Sequence, residues 1–258
     1  MQAKITALGT YVPERIVDNH YFETIVETND EWIVSRTGIR TRHFAAENEY
    51  TSHMCVAAAK NLVLENNVTL DDVDFIIVAT VTPDQTMPSV ASQVQDKLGL
   101  LHTGAVDISA ACAGFVYGII MAQGLITAGT HRKVLVFGAE TLTKFTNYED
   151  RTSCILFGDG AGVVLGEAAP KGNILGAVTG SQGDGGKDLY LSNQRKQING
   201  QDVITDNKIH QNGRAVFKWA VSTVAQQMVV LAERSRIALP DLDWFIPHSA
   251  NMRIIEAL

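Results

Sequence analysis

The sequence predicts an α/β fold with a substantially parallel sheet, and three observations carry that prediction. Apolar runs of strand length recur along the chain, helical periodicity fills several of the gaps between them, and one strand-and-helix pattern occurs twice. The predicted strands are residues 74–80, 105–109, 133–138, 155–166, 174–180 and 243–246. The predicted helices are 52–65, 88–98, 113–128 and 214–234. In the last of these, Val216, Phe217, Ala220, Val221, Val224, Met228 and Leu231 recur at helical spacing.

The repeat is Leu70-Asp-Asp-Val-Asp-Phe-Ile-Ile-Val78 against Leu239-Pro-Asp-Leu-Asp-Trp-Phe-Ile-Pro247. Each is followed by a short polar turn and a helix, 88–98 in the first copy and 250–258 in the second. This order predicts a duplicated α/β half, with the join near 168–173 and halves at 1–170 and 171–258. No cap, glycine or proline closes the helix that runs into Leu258, so the second half is expected to be incomplete at its C-terminus.

Composition narrows the class. Of the 258 residues 46% are hydrophobic and 19% charged, the balance of a folded globular protein. A net charge of −7 argues against nucleic-acid binding, which needs a basic field. Three cysteines, an odd number, point to reduced thiols and a cytoplasmic location, and the N-terminus lacks the apolar core of a signal peptide. Residues 108–130 carry no charge, yet they include Ser109, Gln123, Thr127 and four glycines and begin inside a strand. They read as a helix buried on all sides in a core, not as a membrane span.

Cys112 is the strongest candidate for chemistry. It lies in Gly104-Ala-Val-Asp-Ile-Ser-Ala-Ala-Cys-Ala-Gly-Phe-Val-Tyr-Gly118, where a strand gives way to a helix. The helix dipole and free backbone N–H groups there are expected to favour a thiolate, and the small neighbours Ala110, Ala111, Ala113 and Gly114 permit a sharp, exposing turn. The alternative is a small buried hydrophobe, the reading that fits Cys55 and Cys154. In an open α/β sheet ligands gather beyond the carboxyl ends of the strands. Cys112, the turn Thr82-Pro-Asp84, Glu140 and His248 all fall at such ends. A histidine that caps a helix or meets a backbone carbonyl is the plainer account of His248. The glycines of Gly158-Asp-Gly-Ala-Gly162 and Gly183-Asp-Gly-Gly186 fit no phosphate-loop spacing and read as turns beside strands. No His/Cys spacing resembles a metal site.

Four segments together resemble the β-ketoacyl-acyl carrier protein synthase III family: Asn29-Asp-Glu-Trp-Ile-Val-Ser-Arg-Thr-Gly-Ile-Arg40, the Cys112 segment, Phe157-Gly-Asp-Gly-Ala-Gly162 and Pro247-His-Ser-Ala-Asn251. The resemblance implies a thiolase-like fold of two similar α/β halves in five αβαβα layers. It implies a decarboxylating condensation of a short acyl-CoA with malonyl-acyl carrier protein, with Cys112 as acyl-accepting nucleophile and His248 as catalytic imidazole. The family's third catalytic residue, an asparagine, is expected beyond Leu258. Thr28, Trp32, Arg36, Arg151, Gly213, Phe217 and Asn251 match positions that bind CoA or its pantetheine arm. Lys218 and Arg253 match carrier-protein contacts, and Met87 matches a primer-pocket position at a homodimer interface. No cofactor is implied, the CoA thioester being a substrate. Other thiolase-fold enzymes, such as thiolases, hydroxymethylglutaryl-CoA synthases and plant-type polyketide synthases, are the nearest rivals. A non-catalytic fragment that folds or dimerises is a rival of another class, and a cysteine hydrolase is disfavoured for want of a water-activating arrangement.

Overall fold

The computed structural model describes residues 1–258, which form two compact units, each assembled from separate stretches of chain. One comprises Met1–Arg15, His43–Leu142 and Gly158–Leu175; the other comprises Ile16–Arg42, Thr143–Phe157 and Gly176–Leu258. The units therefore do not follow a contiguous division at 170/171. Residues 16–42 and 143–157 add no strand to the large sheet and pack with the C-terminal part of the chain.

The first unit holds β1 (Gln2–Tyr11), α1 (Thr51–Asn66), β2 (Phe75–Ala79), α2 (Val90–Lys97), β3 (Gly104–Ile108), α3 (Gly114–Thr127), β4 (Lys133–Thr141) and β5 (Asp159–Ala169). Its sheet runs β1-β5-β4-β2-β3. The pairs β2·β3 and β2·β4 are parallel, whereas β4·β5 and β1·β5 are antiparallel, so the sheet is mixed and not mainly parallel. Parallel neighbours need a helical crossover, which α2 and α3 supply. The long N-terminal strand β1 went unrecognised in the sequence because its apolar residues are interleaved with Thr, Gly and Lys.

Alternation sends successive side chains to opposite faces. Ile76, Val78, Leu135, Phe137, Val163 and Leu165 meet Met54, Cys55, Ala58 and Leu62 of α1 and Val90 and Val94 of α2. Ile77, Val134, Val136 and Val164 meet Ala122 and Ile126 of α3 on the other face. Because both faces are covered, β2 and β4 read as continuous apolar runs. Helix α3 is not buried all round, as its lack of charge suggested. It buries Gly114, Gly118, Ala122 and Ile126, one residue per turn, while Val116 and Met121 are exposed.

The second unit has no large sheet. Its helices are Asn19–Glu23, Asp30–Thr37, Gly213–Trp219, Ala225–Arg234 and Met252–Ala257, and a single π-helical turn at Ala220–Val224 joins the third and fourth. That joined helix, 22 residues from Gly213 to Arg234, is long and apolar enough by composition to cross a membrane. It nonetheless carries Ser222, Thr223, Gln226 and Gln227 at its middle, the mark of a one-faced helix. The expected strands 174–180 and 243–246 do not form. A strand exists only with a ladder partner, and neither segment pairs with another; Trp244 and Ile246 are 84% and 87% exposed. The strand expected from residue 155 begins at Asp159, since residues 151–156 form turns. Gly160 and Gly162 therefore lie inside β5, and Gly183–Asp188 is a 3-10 turn. An anchor of this unit is Arg42, buried over the Phe22 ring at 4.5 Å, donating to Asn19 Oδ1 at 2.7 Å and to the Ile155 carbonyl at 2.5 Å.

Gly9 marks the closest approach of α1 to the sheet. A Cβ there would lie 2.5 Å from the Ala58 carbonyl oxygen and 2.6 Å from the Leu62 amide nitrogen, both backbone atoms that cannot step aside. Gly9→Ala should therefore destabilise the protein by about 1–3 kcal/mol, as overpacking does. Urea unfolding of the variant beside the parent checks this, and equal midpoints would refute the packing account.

Candidate active site

Cys112 is placed by a strained turn. Strand β3 ends at Ile108, Ala110 has φ −142° and ψ 25°, and Ala111 has φ +45°, a left-handed conformation that side chains with a Cβ resist. Cys112 then sits in the 3-10 turn Ala111–Ala113 that leads into α3, and the Ala113 N–H closes the turn on the Ala110 carbonyl at 3.1 Å. The helix can approach this closely because it faces the sheet with glycine. A Cβ at Gly118 would stand 2.7 Å from Val136 Cγ1, and one at Gly114 3.0 Å from the Ala79 Cβ.

Of the three free cysteines Cys112 is exposed, while Cys55 and Cys154 are buried, as expected for core thiols. The expectation that its setting favours the thiolate does not hold. Desolvation pushes the Cys112 thiol up, its own backbone N–H opposes this, and the nearby Glu140 carboxylate adds to the rise. Helix α3 begins at Gly114, two residues beyond the cysteine.

Glu140 ends the same rim. Its Oε1 accepts the Val81 N–H at 2.8 Å, and its Oε2 accepts the Thr82 hydroxyl at 2.5 Å and the Thr80 hydroxyl at 3.3 Å. Burial raises its pKa while these bonds hold it down. Asp84, of the Thr82-Pro-Asp84 turn, accepts the Ser52 N–H at 2.9 Å. The hydroxyl hub at Thr80 and Thr82 has no sequence signature, and sequence reasoning found the turn but not its partners. Met87 belongs to this unit and is 83% exposed.

The remaining candidates lie in the second unit. Asn29 caps helix Asp30–Thr37 by accepting the Trp32 N–H at 2.8 Å, and Asp30 and Glu31 fill its first turn. Gly38, with φ +75°, ends it in the left-handed form that glycine adopts without strain. The helix presents Trp32 with two guanidinium groups over its ring, Arg36 at 5.0 Å and Arg151 at 5.1 Å from the centroid. Arg151 is steadied by the Glu27 carbonyl at 3.0 Å. Beside it, the Thr28 Oγ1 is buried without a partner.

His248 stands in an extended segment and not after a strand. It is exposed, yet surrounding protein desolvates the ring enough to lower its pKa, which keeps the imidazole neutral at neutral pH. Asn251 caps helix Met252–Ala257 by accepting the Arg253 N–H at 2.9 Å. That short helix packs on Asp30–Thr37, so the Pro247–Asn251 segment and the Trp32 helix are neighbours within the unit; a Cβ on Gly38 would come 3.0 Å from the Met252 Cβ. Gly213 opens its helix under the Asn212 cap, and Phe217, Lys218 and Arg253 are exposed. No group of three or more His, Cys, Asp or Glu side chains is arranged to hold a metal.

A family model described as 3-oxoacyl-acyl carrier protein synthase III matches residues 106–183, which include Cys112 and Glu140. The β-ketoacyl-acyl carrier protein synthase III 2 of Halalkalibacterium halodurans is 50% identical over 258 residues, covering 100% of this chain and 78% of that relative. The chain belongs to the β-ketoacyl-acyl carrier protein synthase III family. A synthase III 2 from Staphylococcus epidermidis is 51% identical over 257 residues, 99% of this chain and 79% of its own. The crystal structure of the synthase III of Thermus thermophilus aligns with a TM-score of 0.94 at 40% identity, over 98% of this chain and 79% of that one. The fold is accordingly the thiolase-like α/β fold of the synthase III family, and the protein is a condensing acyltransferase of fatty acid synthesis.

Alkylation of Cys112 by iodoacetamide should rise with pH, with a midpoint above the ordinary thiol value, because both desolvation and Glu140 oppose the thiolate. Rates followed by peptide mapping across the pH range check this. A midpoint at or below the ordinary value would show that the helix end dominates after all.

Proposed function

We propose that the chain joins a short acyl-CoA to malonyl-acyl carrier protein through an acyl-Cys112 intermediate, giving a 3-oxoacyl-acyl carrier protein. The observation that carries this reading is the Cys112 turn, which holds an exposed cysteine directly after a left-handed Ala111, beyond the carboxyl end of β3. A nucleophile held this way can meet a thioester carbonyl without rearrangement of the turn.

In the first step the Cys112 sulfur attacks the acyl-CoA carbonyl, a new C–S bond forms as the bond from the acyl carbon to the CoA sulfur breaks, and the cysteine proton passes to the departing CoA sulfur. Backbone N–H groups, that of Cys112 among them, stabilise the oxyanion. In the second step malonyl-acyl carrier protein loses CO₂, and the electron pair passes to an enolate. His248, kept neutral by desolvation, donates an N–H to the enolate oxygen. The enolate carbon then attacks the acyl-cysteine, and Cys112 leaves as the thiolate. The steps call for no metal or redox group.

Trp32 offers a flat face to the adenine, with Arg151 stacking on its other side and Arg36 pairing with CoA phosphates. Arg151 now lies directly over the Trp32 ring at 5.1 Å, so adenine binding requires this guanidinium to move outward. Thr28, with its unpartnered hydroxyl, lines the pantetheine path together with Gly213, Phe217 and Asn251. Lys218 and Arg253 receive the acidic carrier protein. Met87 lines the primer pocket in a homodimer, its flexible thioether suiting branched as well as straight primers. The protein acts in the cytoplasm.

Intact-protein mass after exposure to acetyl-CoA or isobutyryl-CoA should show one acyl group added, and Cys112→Ala should abolish the adduct. An adduct that persists in the variant would overturn the assignment of the nucleophile. His248→Ala should leave the adduct intact while slowing condensation on the order of a hundredfold, the usual effect of losing one such donor. Equal condensation rates in the two proteins would remove His248 from the mechanism.

A further inference from the structure

We propose that Glu140 is a positioning residue for Cys112, acting through the Thr80–Thr82 turn. The inference deepens the reading of Cys112 as the reactive thiol and rests on it. Glu140 lies at the end of β4, and its carboxylate clamps the turn that follows β2 at Thr80, Val81 and Thr82. Thr82 is held from three sides. Its hydroxyl donates to Glu140 and accepts the Thr141 N–H at 2.8 Å, its N–H donates to the Thr80 hydroxyl at 3.1 Å, and its carbonyl accepts from the Thr51 hydroxyl at 2.6 Å. The clamped turn then reaches the nucleophile's strand. The Thr80 N–H donates to the carbonyl of Ile108, the last residue of β3, at 3.2 Å. From there the chain runs through Ser109, Ala110 and the left-handed Ala111 directly to Cys112.

A shift of the carboxylate thus moves the turn, and the turn moves the root of the Cys112 loop. Two other carboxylates share this rim. Asp84 is occupied by the Ser52 N–H, and Asp107 by the N–H groups of Val90 and Ala91. Both act with Glu140 on the buried Cys55, whereas the charge acting on Cys112 is that of Glu140. A purely structural clamp would fix the turn and leave the thiol's protonation alone; Glu140 does both.

The test compares the parent protein with Glu140→Gln, which removes the charge and keeps the shape, and Glu140→Asp, which keeps the charge and withdraws from the turn. Iodoacetamide alkylation of Cys112 is followed against pH by peptide mapping, with thermal unfolding to verify that each variant is folded. Glu140→Gln should lower the alkylation midpoint by at least about half a pH unit, the sense expected for loss of a neighbouring negative charge. Glu140→Asp should keep the parent midpoint and change the high-pH plateau rate at least about twofold, since small displacements of a reacting group alter rates strongly. A parent-like midpoint in Glu140→Gln overturns the proposal. So does a parent-like plateau in Glu140→Asp, which decides the matter alone if the glutamine variant does not fold. Alkylation needs no acyl-CoA. A parent Cys112 inert to iodoacetamide and unacylated by acetyl-CoA removes the nucleophile reading as well, whereas a reactive parent with unmoved variants counts against Glu140 only.

Discussion

Backbone N–H groups at the carboxyl end of the sheet have no strand to pair with, and buried or half-buried carboxylates take them up. Asp107 accepts from the first turn of α2, Asp84 from Ser52 in α1, Glu140 from Val81, and Asp159 from Ala45 at 2.7 Å. Each bond is charge-assisted, with a net worth of about 1.5–3 kcal/mol. Each also joins two elements distant in sequence, so the helices, the sheet and the connecting loops share one set of anchors. Removing any one acceptor leaves a donor stranded in a region with little water. The rim thereby ties its loops and helices through groups that carry negative charge.

Burial and one carboxylate of this rim, Glu140, act on the Cys112 thiol against what helix position alone suggests. What the sulfur meets is desolvation from the packed turn and the field of Glu140, against the single favourable contribution of its own N–H.

The sequence disclosed the elements whose burial is complete. Strands β2 and β4 and helix α1 stood out because both faces of the sheet are covered, and a short continuous apolar run is what a strand covered on both sides requires. Strand β1 did not stand out, since pairing to β5 defines it more than its own side chains do. Segments 174–180 and 243–246 erred in the opposite direction. Their apolar pattern is that of strands, but a ladder needs a neighbour, and a neighbour is a property of the whole fold. At the site, Cys112 was visible from its run of small residues, and Trp32, Arg36 and Arg151 from their resemblance to a known family. The hydroxyls of Thr80 and Thr82 were not, because a hydrogen-bonded clamp among short polar side chains imposes no spacing on the chain.

Ala111 has a consequence for the economy of the whole molecule. At φ +45° an alanine costs about 1–2 kcal/mol more than a glycine would. A glycine there would ease the turn but also let it wander among several conformations. The methyl group removes much of the conformational space a glycine would explore, so less freedom is lost when the surrounding structure fixes the turn. Stability is thus exchanged for rigidity at a single residue, and the cost of ordering the Cys112 turn is met in folding.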